Sequence, residues 1–283
     1  MLLVNIFDEI FMNHSYPPAS SGCWPKHFRF VKKQAYWDGI TIYTDHHVLR
    51  NTVDHIRSKI NIAWLCESRE VVPYQHEYIL RNMHKYDYIF THDKSLIKED
   101  PSKFKFVIAC SQRSHFPDEH VRIYEKTKIT SFAVSFKAWT TGHKFRHKVV
   151  KEVDNSFFDL MGNGYKKFND RIEAYKDYAF SIMIENSLYD SYWSEKSYEP
   201  FWAGTIPIYR GSHDVFEVFD KRGFITFETI EELTDILKNL TLQDYNDRME
   251  YVKKNYDISM QQEIRGGSED YMYIKYPEIF EGV

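Results

Sequence analysis

The sequence predicts an α/β protein of two domains, each a parallel sheet flanked by helices, and two features predict it. One is a strand, loop, helix and second strand at residues 178–211, YAFSIMIENSLYDSYWSEKSYEPFWAGTIPIYRG. The other is the alternation of short apolar, β-branched runs with helical patterns through the rest of the chain. A chain of 283 residues accommodates two domains of ordinary size, and the 178–211 unit occupies only the second half.

Within that unit, residues 180–184 have the length and β-branched content of a buried strand, followed by a polar, turn-rich loop at 185–191. Ser194, Glu195 and Lys196 open a helix whose Tyr198, Phe201 and Trp202 fall at i, i+3 and i+4 on one face. Pro200 lies inside it and should kink or delay it. Ala203 and Gly204 stop the helix, and 205–209 form the second strand. Such a unit requires a right-handed crossover and favours a parallel sheet. Ligands of such sheets sit beyond the carboxyl ends of the strands, here where 185–194 and 210–212 meet.

Taken in order, strands are expected at 2–7, 40–43 and 59–65, with a loop rich in Ser, Pro, Gly and Asn between the first two. A helix at 74–85 follows Pro73, then strands at 86–92 and 104–110 with a helix-like segment between them. The boundary falls in the charged stretch 117–128. The second domain starts with a strand at 129–136, then a basic segment and a helix reaching to about residue 158. Residues 160–176 read as loop and short helix, 224–227 as a strand, and 230–239 and 242–256 as helices. Thr229 opens the first of these, with Glu231 and Glu232 in its first turn. The expected domains are 1–124 and 125–258, with 259–283 as a tail.

Composition narrows the function classes. Apolar residues at 43% and charged residues at 28% fit a soluble globular protein, and a net charge of −4 argues against nucleic acid as a partner. Aromatics at 17% suit either sugar sites, where an apolar face must also hydrogen-bond, or a tightly aromatic core. Cys23, Cys66 and Cys110 show no C-x-x-C spacing, which points to buried thiols in a reducing compartment. The N-terminus carries Asp8 and Glu9 and no basic region, so it reads as a strand and not a signal peptide. No apolar run reaches membrane-spanning length, and the expected location is cytoplasmic with no membrane span.

Several residues could carry chemistry. Ser194 can cap its helix, whose free N–H groups attract anions, and Lys196 adds a full charge within one turn. Glu195 suits two hydrogen bonds from a ribose diol, and Tyr192 offers a ring for stacking and a hydroxyl. Spacing alone leaves a capped helix with a solvated Glu–Lys pair as the other reading. The basic run 142–148 lies at a helix start after the domain's first strand, either an anion site or a solvated face. His143 and His147 have a zinc spacing, but no Glu stands in the H-E-x-x-H place and three cations lie alongside, so no metal is expected. Glu67 and Glu70 follow the strand at 59–65, as a base or as surface residues; His46, His47 and His115 either reach a ligand or cap and pack.

Ile184-Glu185-Asn186-Ser187, then Tyr192-x-Ser194-Glu195-Lys196, then 203–211 (AGTIPIYRG) resemble the signature of the family 10 glycosyltransferases, the α-1,3/1,4-fucosyltransferases. That pattern is roughly F-E-N-S, Y-x-T-E-K and A-G-x-[VI]-P-[VI]-x-x-G; the likeness spans the 178–211 unit, with recognisable spacing back to Phe132. Ile184 departs from the usual Phe. The resemblance implies a GT-B-like fold, two Rossmann-like domains facing across a cleft, with an N-terminal acceptor domain and a C-terminal nucleotide-sugar domain. It implies an inverting transfer of fucose from GDP-fucose to a glycan hydroxyl, such as the GlcNAc of an N-acetyllactosamine-like unit. Members of animals and plants carry a Golgi anchor; this chain resembles the soluble microbial or viral members.

The resemblance also implies roles for residues. Tyr192, Glu195 and Lys196 hold GDP, with Ser194 capping, while Glu185 and Asn186 support the loop that presents Tyr192 and Glu185 can touch the donor sugar. Arg146, ahead of Val149 and Val153, grips the diphosphate, and an Arg can do so bidentately. Glu67 fits the base in a G-E-[NS]-x-x-x-x-P-like stretch, with Glu70 the fallback, although Cys66 stands where the pattern has Gly. No Asp-x-Asp occurs in the chain, so side-chain cations are expected to take the place of a metal and no cofactor is expected beyond the donor. The rival readings are another donor on the same scaffold (GDP-mannose, or a UDP-sugar such as UDP-xylose) and a non-catalytic nucleotide-sugar or glycan-binding protein.

Overall fold

The computed structural model describes residues 1–9, 25–109 and 118–282. It divides into two units, Met1–Arg113 with Gln262–Val283, and Ser114–Gln261. The first unit is built on six strands: β1 (Leu2–Phe7), β2 (Phe28–Lys32), β3 (Tyr36–Thr44), β4 (Arg57–Leu65), β5 (Tyr88–Thr91) and β6 (Phe104–Phe106). They pair in parallel in the order β2-β1-β3-β4-β5-β6. Ile62, Ala63, Trp64 and Leu65 are all buried, so β4 is covered on both faces, as a parallel sheet requires. The helices of this half are α1 (Asp45–Leu49), α2 (Pro73–Asn82) and α3 (Lys94–Glu99). Pro73 occupies the first turn of α2, where its missing N–H costs nothing. β2 lies in the stretch expected to be loop. Its FRFVK carries two cations, as suits an edge strand that among the described residues pairs only with β1.

The second unit is likewise all parallel. Its elements are β7 (Lys128–Ala133), α4 (Thr141–Glu152), β8 (Asp159–Met161), β9 (Tyr178–Ile184), β10 (Ile206–Arg210) and β11 (Ile225–Thr226), then α5 (Ile230–Asn239), α6 (Leu242–Asp247) and α7 (Met249–Ser259). The sheet order is β11-β10-β9-β7-β8. Every residue of β9 is buried, and β9 runs parallel to β10 with Ile184 opposite Arg210. Phe132, Val149, Phe180, Ile182, Ile206 and Leu233 share one core.

Four details differ from the sequence reading. The single helix expected from Ser194 is two 3₁₀ turns, Glu195–Ser197 and Glu199–Ala203, because Pro200 has no N–H to continue a ladder and so starts a new turn. Tyr198, Phe201 and Trp202 are buried all the same. Gly204, at φ +71°, ends the second turn, and a Cβ there would sit 2.7 Å from Ile123 Cγ2. The helix expected at 242–256 is α6 and α7, divided at Arg248; the one expected to reach 158 stops at Glu152; and β8 runs into the start of the segment read as loop and short helix.

Residues 262–283 group with the first unit as α8 (Gln262–Arg265), α9 (Gly267–Lys275) and α10 (Pro277–Phe280). The Asp270 carboxylate accepts hydrogen bonds from the backbone N–H of Lys26 (2.8 Å) and His27 (3.1 Å), and the Ser268 hydroxyl donates to the Ile108 carbonyl (2.9 Å). Met272, Ile279 and Phe280 join Val4, Ile42 and Trp64 in one apolar cluster. Among the described residues, no helix is long and apolar enough to cross a membrane. Cys66 is buried, its thiol 3.7 Å from the Trp64 carbonyl; Cys23, Cys110 and His115 lie outside the described residues.

Candidate functional site

In the second unit the chain goes from β7 to β8 on one side and to β9 on the other, so the loops after β7 and β9 diverge at the carboxyl edge of the sheet. Such a divergence leaves a crevice for a ligand. Those residues singled out in the sequence that belong to the second unit occupy the segments after β7 and β9 and the first turns of α4.

Thr140 caps α4: its hydroxyl accepts from the His143 N–H (3.4 Å), donates to the Asn186 carbonyl, and lies 2.8 Å from His143 Nδ1. The Gly142 N–H donates to the same carbonyl at 2.9 Å. A Cβ on Gly142 would fall 1.8 Å from the Glu185 carbonyl oxygen, so only glycine lets the helix start lie on the end of β9. One turn on, Arg146 is 8% exposed and points back at the same strand end. Its Nε donates to the Ile184 carbonyl at 3.0 Å and its Nη2 to that carbonyl and to Asn186 Oδ1 (2.9 Å).

Glu185 continues the network on the other side. Fully buried, its carboxylate accepts from the Ser194 N–H (2.8 Å) and the Ser194 hydroxyl (2.6 Å). Burial pushes this carboxyl up from its ordinary value, while Lys196 and the Ser194 hydrogen bond pull the other way. Lys196 donates from Nζ to Glu195 Oε1 at 2.8 Å and lies 3.4 Å from Ser194 Oγ. Glu195 is itself buried. Burial would raise its carboxyl, but Lys196 and Arg171 outweigh that and hold it below the ordinary carboxylate value. Arg146, Glu185, Asn186, Ser194, Glu195 and Lys196 therefore belong to one connected cluster.

His143 reports the sign of that cluster. Its imidazole is pushed down to about 4 by burial, and then by the charges of Arg146, Lys137 and Lys196. It is neutral at physiological pH among three cations, a setting that attracts an anion. His143 and His147 are each engaged elsewhere, with Thr140 Oγ1 and the Lys137 carbonyl (3.0 Å), and among the described residues no three His, Cys, Asp or Glu side chains are grouped to hold a metal ion.

Two expectations take a different form. The turn after Ser194 is three residues of 3₁₀ helix, too short for a helix dipole, although Ser194 does accept from the Lys196 N–H (3.5 Å). Positive potential comes from side chains instead. Tyr192, expected to offer a ring for stacking, is 1% exposed with its ring 5.6 Å from that of Tyr189. The preceding Ser191 sits at φ +72° and its N–H is held by Ser212 Oγ at 3.0 Å.

Arg171 was missed. Its Nη2 lies 2.7 Å from Glu199 Oε2 and 3.8 Å from Glu195 Oε1, which places it directly behind the motif. The signal that could have found it is the capping box Asp170…Glu173, which fixes a helical turn around Arg171 in the segment read as loop and short helix.

In the first unit, Glu67 follows the end of β4 and is half-buried, whereas Glu70 is exposed. The Glu67 carbonyl lies 3.3 Å from His76 Nε2, and the Cys66 N–H donates to buried Asp45 at 3.0 Å. Asp45 is pushed well above the ordinary carboxylate value by burial, with the charges of Glu67 and Asp8 adding to it. His47 packs edge-on to Phe7 and hydrogen-bonds Thr52 Oγ1 at 2.9 Å, and exposed His46 lies 3.4 Å from Gln75 Nε2.

Comparison with known proteins places these observations. An α1,3-fucosyltransferase solved with GDP has a TM-score of 0.52 to this chain at 13% identity, covering 91% of this chain and 88% of that one. TarM has a TM-score of 0.56 at 12% identity over 86% of this chain and 55% of its own. At such identities the likeness is one of fold, the α/β GT-B class with its two parallel sheets. In sequence, "Putative fucosyltransferase R654" of Acanthamoeba polyphaga mimivirus is 34% identical over 83 residues, which are 29% of this chain and 14% of the viral protein. The family model for the C-terminal part of glycosyltransferase family 10 (fucosyltransferase) matches residues 123–270. That match takes in the whole cluster from Thr140 to Lys196 and more than half of the chain: the protein belongs to glycosyltransferase family 10, the fucosyltransferases.

Proposed function

We propose that the protein is an inverting glycosyltransferase that moves fucose from GDP-fucose to a glycan hydroxyl without a bound metal. The observation that carries the reading is the convergence of Arg146 and Lys196 on one buried cluster at the carboxyl edge of the second sheet. Departure of GDP leaves negative charge on the diphosphate, and fixed cations stabilise it without reorganising. Glu195 accepts from the ribose diol, Glu185 and Asn186 hold Ser194 and Arg146 in place, and Tyr192 braces the loop between them. The first unit takes the acceptor, with Glu67 as base. As the bond from the acceptor oxygen to the sugar C1 forms and the bond from C1 to the diphosphate oxygen breaks, the hydroxyl proton passes to the Glu67 carboxylate.

Thermal-shift measurements with GDP, UDP, CMP and their sugars, with and without EDTA, test this reading. GDP and GDP-fucose should raise the midpoint equally with and without EDTA; a ligand at 100 times its Kd stabilises by about 2.7 kcal/mol. A shift confined to UDP-sugars would change the donor. A shift abolished by EDTA would overturn metal independence.

A further inference from the structure

We propose that Arg171 is a positioning residue of the donor site: seated on buried Glu199, it is the standing counter-charge of Glu195 and so frees Lys196 to serve the diphosphate. This rests on the reading of Lys196 as a diphosphate cation.

In the structure Lys196 is not free. Its ammonium lies 2.8 Å from Glu195 Oε1, and the Glu195 side chain is 7% exposed. A buried carboxylate stripped of its counter-ion is strongly unfavourable, so a lone Glu–Lys pair would hold its lysine against any incoming phosphate. Arg171 changes that balance. Its guanidinium stands 3.8 Å from the same Glu195 oxygen and 2.7 Å from Glu199 Oε2, and Glu199 is fully buried. The planar fork of an arginine can face two carboxylates at once, where an ammonium is a point charge.

The backbone around Arg171 is fixed as well. Asp170 Oδ1 accepts from the Ile172 N–H at 3.1 Å, and Glu173 Oε1 accepts from the Asp170 N–H at 3.3 Å. Two cations and two carboxylates thus balance in the absence of donor. When a diphosphate arrives, Lys196 on its flexible stem turns to it, and Arg171 stays with Glu195 and Glu199. Glu195 then remains ionised and able to accept hydrogen bonds from the ribose.

The test is calorimetric binding of inorganic pyrophosphate to the full chain, a probe with no ribose. Because Arg171→Met alone leaves Glu199 buried without its arginine, the comparison is made in the Glu199→Gln background, with folding checked by thermal midpoint. The double variant E199Q/R171M should bind pyrophosphate at least about 10-fold more weakly than E199Q, because Glu195 captures Lys196. Adding E195Q removes the captor and should bring affinity back to within about 3-fold of E199Q. Unchanged binding in E199Q/R171M overturns the proposal, as does a loss that E195Q does not restore. If the unsubstituted protein binds neither pyrophosphate nor GDP, the donor-site reading itself fails. If Lys196→Met lowers affinity while the Arg171 variants do not, that reading stands and only the role of Arg171 falls.

Discussion

Arg146 and Lys196 bring their charges to the site by different means, and their substitutions should differ accordingly. Arg146 is seated by three hydrogen bonds to Ile184 and Asn186 at the end of β9, so Arg146→Ala removes a charge and also leaves a buried carbonyl without its donors. Lys196 instead contacts the side chains of its neighbours Glu195 and Ser194. Each alanine variant should lower kcat by roughly 10²-fold or more, the scale for losing a transition-state donor. Only Arg146→Ala should also lower the thermal midpoint, and Arg146→Lys should not restore either property, since one ammonium cannot reach both partners. Steady-state transfer assays paired with melting curves check both statements. For Glu67, replacement by Gln keeps shape and removes the basic oxygen. Transfer should cease while GDP affinity stays within a few-fold, because Glu67 belongs to the other unit; a collapse of GDP binding in titration would make Glu67 a donor-site residue.

Elements, more than single side chains, set how close these groups come. The start of α4 touches the end of β9 because residue 142 has no side chain, and the Gly142 N–H then satisfies the Asn186 carbonyl. Gly142→Ala must push the helix off the strand. Overpacking of this kind costs about 1–3 kcal/mol, occasionally more, and it should be accompanied by a loss of GDP binding in a thermal-shift titration. The C-terminal helix α9 supplies a pH test. Glu269 is fully buried and its carboxyl is pushed up to about 8 by burial, with the charges of Asp270 and Asp8 adding to this. Below 4.5, the ordinary value of a glutamate, both folded and unfolded states hold the proton; from there to about 8 only the folded state does. Stability therefore falls as pH rises through that window. Glu269→Gln removes the dependence, so its advantage in thermal midpoint over the unsubstituted protein should widen by at least about 3 °C between pH 5 and pH 8. An advantage that does not change with pH would refute the protonated state.

At the scale of the whole molecule, the two units are not two consecutive stretches of chain. The first is completed by residues 262–283, whose Met272, Ile279 and Phe280 are at most 2% exposed. Full burial of each such side chain is worth about 1.5–3 kcal/mol, against a net stability of about 5–15 kcal/mol for a typical protein. Truncation after Gln261 should therefore unfold the first unit. Limited proteolysis should cut within residues 25–109 of the truncated protein and spare the same region in the full chain. Equal resistance would show that the first sheet holds without its C-terminal helices.

Much of this was legible in order along the chain. Apolar runs with β-branched residues marked β1, β4, β9 and β10, since a strand covered on both faces can contain little else. Thr229 and its acidic first turn marked α5, and the spacing around Glu185, Ser194 and Lys196 singled out side chains that meet after β9, because these signals act between neighbours in sequence. What escaped depends on surfaces that exist only after folding. β2 is a strand because β1 offers it an edge, and 262–283 are helices of the first unit because its sheet presents an apolar face to them. The burial of Tyr192 and the station of Arg171 behind Glu195 follow from which loops the sheet order brings to one edge. Sequence determined which residues can bear charge, cap a turn or fill a core. Tertiary structure decided which of them meet, because burial and the fields of neighbouring charges depend on distances in space between residues far apart along the chain.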